Sequence, residues 1–343
     1  MAHIAIVGST GYTGMMLLRI LLDHPDIERI TPVSRSQAGQ AVRALDPGLG
    51  PGVESKIPGG VFVAHDELQD LTPDAFISAL PHGAAAEVLA PLAGRAPIID
   101  LSADFRLGSS ERYEAAYGKP HAAPALLEQA VYGLCEVNRE RIRSADIIAN
   151  PGCYPTATLL PLLPFANRLA GPVIVNAMSG ISGAGRKEAV NLLFCERSEN
   201  ANAYAPGRTH RHVPEIEEQL VAGASTPALF FTPHLVPLKQ GMVVTSVAEL
   251  VEPLSLEQAR DLIASAYEGS PFVGLSARET PETRDVRNTN RCDIGVVMLD
   301  ERRIELFSCI DNLYKGASGQ AVQNLNIRLG FDERSGLRRN GEF

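Results

Sequence analysis

The chain has 343 residues, 45% hydrophobic and 21% charged, which excludes a disordered chain and at this length suits two domains rather than one core. Its formal net charge of −9, with no long basic run, argues against a nucleic-acid surface or an anionic-membrane partner. No uninterrupted apolar stretch reaches the ~18 residues of a membrane span. Five cysteines (Cys135, Cys153, Cys195, Cys292, Cys309) stand far apart, without a CxxC pair. That spacing argues against a zinc site or redox dithiol and makes a reducing cytoplasm the expected setting. The N-terminus runs directly into a strand, with no basic leader or cleavage site expected.

"HIAIV" (3–7) is a short β-branched run. After it come the loop Gly8-Ser9-Thr10-Gly11-Tyr12-Thr13-Gly14 and an apolar helix that stops at His24-Pro25. Strand, glycine loop and helix open a mononucleotide-binding βαβ unit. The spacing is GxxGxxG rather than GxGxxG, but the task is similar: a tight turn, close approach to a pyrophosphate, and N–H groups at a helix start. The next strand, "RITPVS", ends at Ser34-Arg35-Ser36 rather than at an acidic residue. Two hydroxyls and a guanidinium suit a 2′-phosphate, which favours NADP over NAD; the alternative is a solvated loop. Further strands at "DAFISAL" (74–80), "APIIDLS" (96–102) and "ADIIAN" (145–150) predict a doubly wound parallel sheet. The loop "DLSADFRL" gathers Ser102, Asp104 and Arg106. Arg106 either anchors an anionic substrate group or pairs with Asp104.

In "NPGCYPT", Cys153 follows what reads as the fifth strand and heads an apolar helix. A thiol there meets the positive end of the helix dipole, which favours the thiolate nucleophile. The alternative is a small buried hydrophobe, the reading adopted for Cys135, Cys195, Cys292 and Cys309. "SGISGAGR" (179–186) is a glycine- and serine-rich loop after the strand "PVIVNAM", able to present backbone N–H groups to an anion. His210, Arg211 and His212 precede Pro214, which opens an amphipathic helix. No third ligand type clusters nearby, so no metal is expected, and acid–base work by a histidine is the better reading. Dinucleotide loop, helix-start cysteine and loop histidine together point to thiohemiacetal chemistry.

With "ALPHG", "DLSADFRL", "NPGCYPT", "SGISGAGR", "HRHVPEIEE" and "DNLYKGASGQAVQNLN" in this order, the chain resembles the N-acetyl-gamma-glutamyl-phosphate reductase family, in the aspartate-semialdehyde dehydrogenase-like group. The resemblance implies an α/β protein: a Rossmann-type NADP(H)-binding domain (1–150 with 313–343) and a second α/β domain (151–312). The second domain carries a mixed, largely antiparallel sheet, the catalytic groups and the contacts of a homotetramer or homodimer. "NPGCYPT" then marks the domain boundary. The implied substrate is a small acyl phosphate, N-acetyl-glutamyl 5-phosphate. Cys153 attacks it, phosphate leaves, and hydride from NADPH reduces the thioester. His210 transfers the proton, with His212 as substitute. Ser102, Arg106, Arg186, Arg211 and His212 would bind substrate, and Leu80, Pro81, Ser182, Gly183, Asn312 and Gly316 would join the glycine loop in binding the cofactor. One block departs: Lys239-Gln240-Gly241 stands where an Arg-Gly pair is expected. Lys239 would keep the charge but not a bidentate contact. Three rivals remain at this point: a carrier-borne acyl phosphate, aspartate semialdehyde, and a silent dinucleotide sensor.

Overall fold

A computed structural model of the chain describes residues 1–186, 188–221 and 227–341. The chain divides into two compact units, one of 1–151 with 317–337 and the other of 152–316 with residues from 338 on.

The first unit is built on β1 (Ala2–Val7), β2 (Ile27–Val33), β3 (Ala75–Ser78), β4 (Ile98–Asp100), β5 (Val131–Tyr132) and β6 (Ile147–Ala149). They form one sheet in the order β2-β1-β3-β4-β6-β5, and every pairing is parallel. This is the Rossmann-type sheet that the sequence predicts. A parallel sheet is covered on both faces, so its strands read as continuous apolar runs; Phe76, Ile77, Ile98, Ile99, Ile147 and Ile148 are all buried. The two-residue β5 has no periodicity to detect and escaped the sequence reading, so the strand before Cys153 is the sixth, not the fifth. The helix after the glycine loop ends at Leu22, just short of the expected stop at His24-Pro25. The helix Gly319–Leu329 is buried from Gly319 to Ile327, including four amide side chains. Those amides have partners: Gln320 and Asn324 donate to the Gly133 carbonyl at 2.9 and 2.8 Å, and Asn326 meets His24 at 2.9 Å.

The second unit holds β7 (Val173–Ser179), β8 (Asn202–Ala203), β9 (Leu229–Leu235), β10 (Met242–Glu249), β11 (Val273–Leu275), β12 (Cys292–Met298) and β13 (Arg303–Ile310). Their order is β11-β12-β13-β10-β7-β9-β8. Only β11/β12 and β7/β9 are parallel, so the sheet is mixed and mostly antiparallel, as expected. Buried and exposed residues alternate strictly along β7, the mark of a sheet packed on one face. The packed face carries the helix Cys153–Leu162, which is buried on all sides from Tyr154 onward. Ser308 Oγ donates to the Ala157 carbonyl (2.5 Å) and Tyr267 Oη to that of Leu160, fixing the helix to its surroundings.

Two expectations need correction. Residues 313–316 and 338–341 group with the second unit and residue 151 with the first, whereas 313–343 was expected with the first and 151 with the second; residues 342–343 lie outside the described residues. For 338–341 the reason is a pair of backbone contacts: Asn290 N–H donates to the Arg338 carbonyl (2.9 Å), and Arg338 N–H to Tyr314 Oη (3.4 Å). Cys195, expected to be buried, is exposed on the short helix Phe194–Arg197, whose buried residue is Arg197. Cys292, in its more polar sequence setting, is fully buried on β12.

Candidate active site

In the first unit, the glycine loop joins β1 to the helix Tyr12–Leu22. Gly8 sits at φ +84°, in the left-handed region open to glycine, and its N–H donates to the Val33 carbonyl at 3.1 Å. A Cβ on Gly14 would stand 2.5 Å from Ser9 Cα, so the loop closes tightly on the helix only with glycine there. Ser9 Oγ donates to the Val33 carbonyl (3.2 Å), and Ser318 Oγ to that of Thr13 (2.9 Å). The helix Tyr12–Leu22 starts at Gly11 with no side-chain cap and no acidic residue in its first turn. Its leading N–H groups therefore suit a phosphate. Thr10 lies within this loop, and Leu80 beside Gly8, whose Cβ would meet Leu80 Cδ2 at 3.1 Å; Pro81 follows, exposed. At the end of β2, Ser34 is buried and accepts the N–H of Gln37 (3.1 Å), while Arg35 and Ser36 are exposed. These residues fit a dinucleotide.

The loop after β4 uses its polar groups on itself. Asp104 accepts the amides of Gly83 (2.7 Å), Ala85 (3.0 Å) and Ala86 (3.1 Å) and lies 2.8 Å from His82 Nδ1. Burial works against its charge, but these partners hold its carboxyl down at about 2. Ser102 Oγ donates to buried Asp100 (2.5 Å) and accepts the Asp104 N–H (3.0 Å). Burial pushes the Asp100 carboxyl up to about 6. Arg106 donates to the carbonyls of Leu101 (2.7 Å) and Asn150 (2.9 Å), tying this loop to the segment that leaves β6. Ser102 and Arg106 are thus engaged in holding the loop.

In the second unit, Cys153 is the first residue of its helix, with Gly152 as N-cap and no side-chain cap. The Gly152 N–H donates to Glu215 (2.9 Å), and Pro155 has no N–H, so the amides of Cys153 and Tyr154 lead the helix. Cys153 is half-buried and lines a cavity of about 500 Å³ with Tyr154, Tyr204, His210, Arg211 and His212. The His210 ring lies edge-on to Tyr154, centroids 5.4 Å apart, and 4.8 Å from that of His212. Its Nδ1 accepts the His212 N–H at 3.2 Å, so the neutral ring carries its proton on Nε2. Burial first, and Arg211 second, pull His210 down to about 4, which keeps it neutral at pH 7. Tyr204 Oη donates to Tyr154 Oη (2.9 Å); burial raises the Tyr154 hydroxyl above its ordinary value and Tyr204 to about 12, so both remain protonated.

Of the residues expected to bind substrate, Arg211 and His212 line this cavity and Arg186 is exposed on the loop after β7. Among those expected to bind cofactor, Gly183 lines the same cavity. The Asn312 side chain accepts the Gly241 N–H (2.7 Å) and donates to Ser182 Oγ (2.9 Å), so it braces the Ser182-Gly183 loop. Gly316 packs against Cys153: a Cβ there would stand 2.8 Å from the cysteine Cβ. At the departing block, the Gln240 side chain donates to buried Asp311, and the Lys239 carbonyl accepts the Ser182 N–H (3.1 Å). Sequence reasoning missed Glu215, Tyr154 and Tyr204. Glu215 had a signal, a lone carboxylate in the first turn of the helix His212–Gln219. Tyr204 had none.

A nicotinamide-dinucleotide sheet, followed by a mixed-sheet unit with a cysteine at a helix start, defines a semialdehyde dehydrogenase-type oxidoreductase. The chain matches the semialdehyde dehydrogenase NAD binding domain over residues 3–145 and the semialdehyde dehydrogenase dimerisation domain over 153–312. Its fold is that of aspartate semialdehyde dehydrogenase II from Vibrio cholerae (TM-score 0.72, 19% identity, covering 96% of this chain and 98% of that one). The NADP-bound enzyme from Candida albicans is similar (TM-score 0.70, 16% identity, covering 95% and 98%). Sequence relatives are nearer. N-acetyl-gamma-glutamyl-phosphate reductase 1 of Pseudomonas putida is 46% identical with 98% of each chain covered, and the Geotalea daltonii reductase is 43% identical with 100% of each covered. The chain belongs to the N-acetyl-gamma-glutamyl-phosphate reductase family.

Proposed function

We propose that the chain reduces N-acetyl-L-glutamyl 5-phosphate to the 5-semialdehyde with release of phosphate, in arginine biosynthesis, using NADPH and a cysteine thioester. The observation that carries this reading is Cys153 at an uncapped helix start, in one cavity with His210. The Cys153 thiolate displaces phosphate from the acyl carbon and leaves a thioester. The reduced nicotinamide supplies the hydride. The resulting thiohemiacetal oxyanion collapses to the aldehyde and returns the thiolate. The amides heading the helix and His210 Nε2–H are donors for that oxyanion, and one such donor is worth about 3 kcal/mol. Neutral His210 thus serves as a fixed donor, its tautomer held by the His212 amide. Arg211 supplies positive charge for the phosphate or carboxylate at the cavity wall. In the first unit, Ser34 and Arg35 would select NADP by its 2′-phosphate.

Phosphate-dependent reduction of NADP by N-acetylglutamate semialdehyde, followed by NADPH absorbance, tests this directly. The reading fails if the wild type gives no signal or if Cys153→Ser retains it; aspartate semialdehyde is the control substrate. Two copies would associate over the outer face of the second sheet, where Ile174, Met178 and Phe230 are exposed. Sedimentation of the protein with and without Phe230→Asp checks the association.

A further inference from the structure

Beyond the cavity residues, one buried carboxylate ties together more of the backbone around Cys153 than the mechanism requires. Asp311 follows β13 and is fully buried. Its Oδ1 accepts the amides of Leu313 (2.9 Å) and Tyr314 (3.0 Å), and its Oδ2 accepts the amide of Asn288 (2.7 Å) and the side chain of Gln240. Its own carbonyl accepts the Gly316 N–H at 2.9 Å. Residues 311–316 therefore form a turn wound around one side chain. The far end of that turn is Gly316, whose missing side chain lets the backbone lie on the nucleophile: a Cβ would stand 2.8 Å from Cys153 Cβ and 3.3 Å from its Cα.

We propose that Asp311 is a positioning residue for Cys153: by gathering the Gln240 side chain and the 288 and 313–314 backbones it fixes Gly316 as the wall that holds the thiol in place. This rests on the reading of Cys153 as the nucleophile. All four donors to the carboxylate are uncharged amides. Amide donors fix the carboxylate by direction as well as distance.

The experiment compares the full-length protein with Asp311→Asn, Gln240→Met and Cys153→Ser. Asparagine keeps one acceptor oxygen and turns an NH₂ group toward amide donors on the other side. In the phosphate-dependent semialdehyde assay Asp311→Asn should lower kcat by about 10–100-fold, the scale of a misplaced reacting atom, with KM within about twofold of wild type. Carbamidomethylation of Cys153 by iodoacetamide, read by peptide mass, should change rate in the same variant. Gln240→Met removes one donor and should lower kcat by about 2–10-fold. A lowered melting temperature with unchanged kcat and alkylation rate would mean that Asp311 only stabilises the fold, and overturns the proposal. A raised KM with kcat intact overturns it too. If Asp311→Asn does not fold, wild-type kcat in Gln240→Met overturns it. Activity surviving in Cys153→Ser instead removes the nucleophile reading beneath it.

Discussion

Replacing Glu215 by alanine is expected to loosen the start of the Cys153 helix. The Glu215 carboxylate is fully buried and accepts the Gly152 N–H at 2.9 Å, at the N-cap of that helix. Without it, a buried N–H loses its acceptor, which costs about 1–3 kcal/mol. The helix start also loses a nearby anion, worth about 0.3–1 kcal/mol and up to about 2 when partly buried. The expected loss for Glu215→Ala is therefore roughly 2–4 kcal/mol. Glu215→Gln keeps an acceptor oxygen for the Gly152 N–H, so its loss should be smaller, about 1 kcal/mol. Urea unfolding followed by far-UV circular dichroism, with the slope against urea held common, measures both. The kcat of Glu215→Ala should fall as well, because Gly152, which Glu215 anchors, immediately precedes Cys153, the proposed nucleophile. A loss below about 0.5 kcal/mol for alanine, or equal losses for alanine and glutamine, would refute the argument.

Four further expectations are open to measurement. Gly14→Ala would place a Cβ 2.5 Å from Ser9 Cα, so NADPH binding by fluorescence titration should weaken more than tenfold, with a stability loss of about 1–3 kcal/mol. Arg35→Ala should weaken NADPH binding about 10–100-fold, the value of a charged contact to phosphate, while NADH binding stays nearly unchanged. His210, depressed to about 4 against 6.5 unfolded, binds fewer protons when folded. Its contribution is complete above pH 6.5, falls by up to about 3 kcal/mol as pH drops toward 4, and is flat below; His210→Gln should flatten that part of a stability–pH curve. Asp100 has the opposite sign: its carboxyl, raised to about 6, loses stability as pH rises from about 4 to 6. Asp100→Asn should remove that slope and gain up to about 3 kcal/mol at pH 7, read by unfolding at both pH values.

The parallel sheet and its glycine loop were legible because apolar runs and φ-demanding glycines are local signals. Gly8 and Gly14 do what their spacing implied, one by a positive φ and the other by contact with Ser9. The position of Cys153 was legible for the same reason, as a turn followed by an apolar run. What escaped depends on distance along the chain. Glu215 meets Gly152 across 63 positions, and Tyr204 meets Tyr154 across 50. No pattern within either segment records those partners. Arg106 shows the converse. Its residue type suggested an anion site or a pair with Asp104, and the fold also brings it two backbone carbonyls that the sequence does not show. Cys195 was misjudged because burial was inferred from residue type, whereas the side of its short helix that faces inward carries Arg197.

The helix that carries Cys153 is interior along its whole length after the first residue, and is pinned at Ala157 and Leu160 from outside. A thiol on such a rod has almost no freedom to search for its target. The approach to reactive distance must come from the incoming molecule, whose translation and rotation are surrendered when it enters the cavity. In the proposed reaction the attack would then resemble an intramolecular one, with an effective concentration set by cavity shape rather than by side-chain motion. Enlarging the cavity opposite the thiol should therefore slow turnover even where every reacting group is left intact.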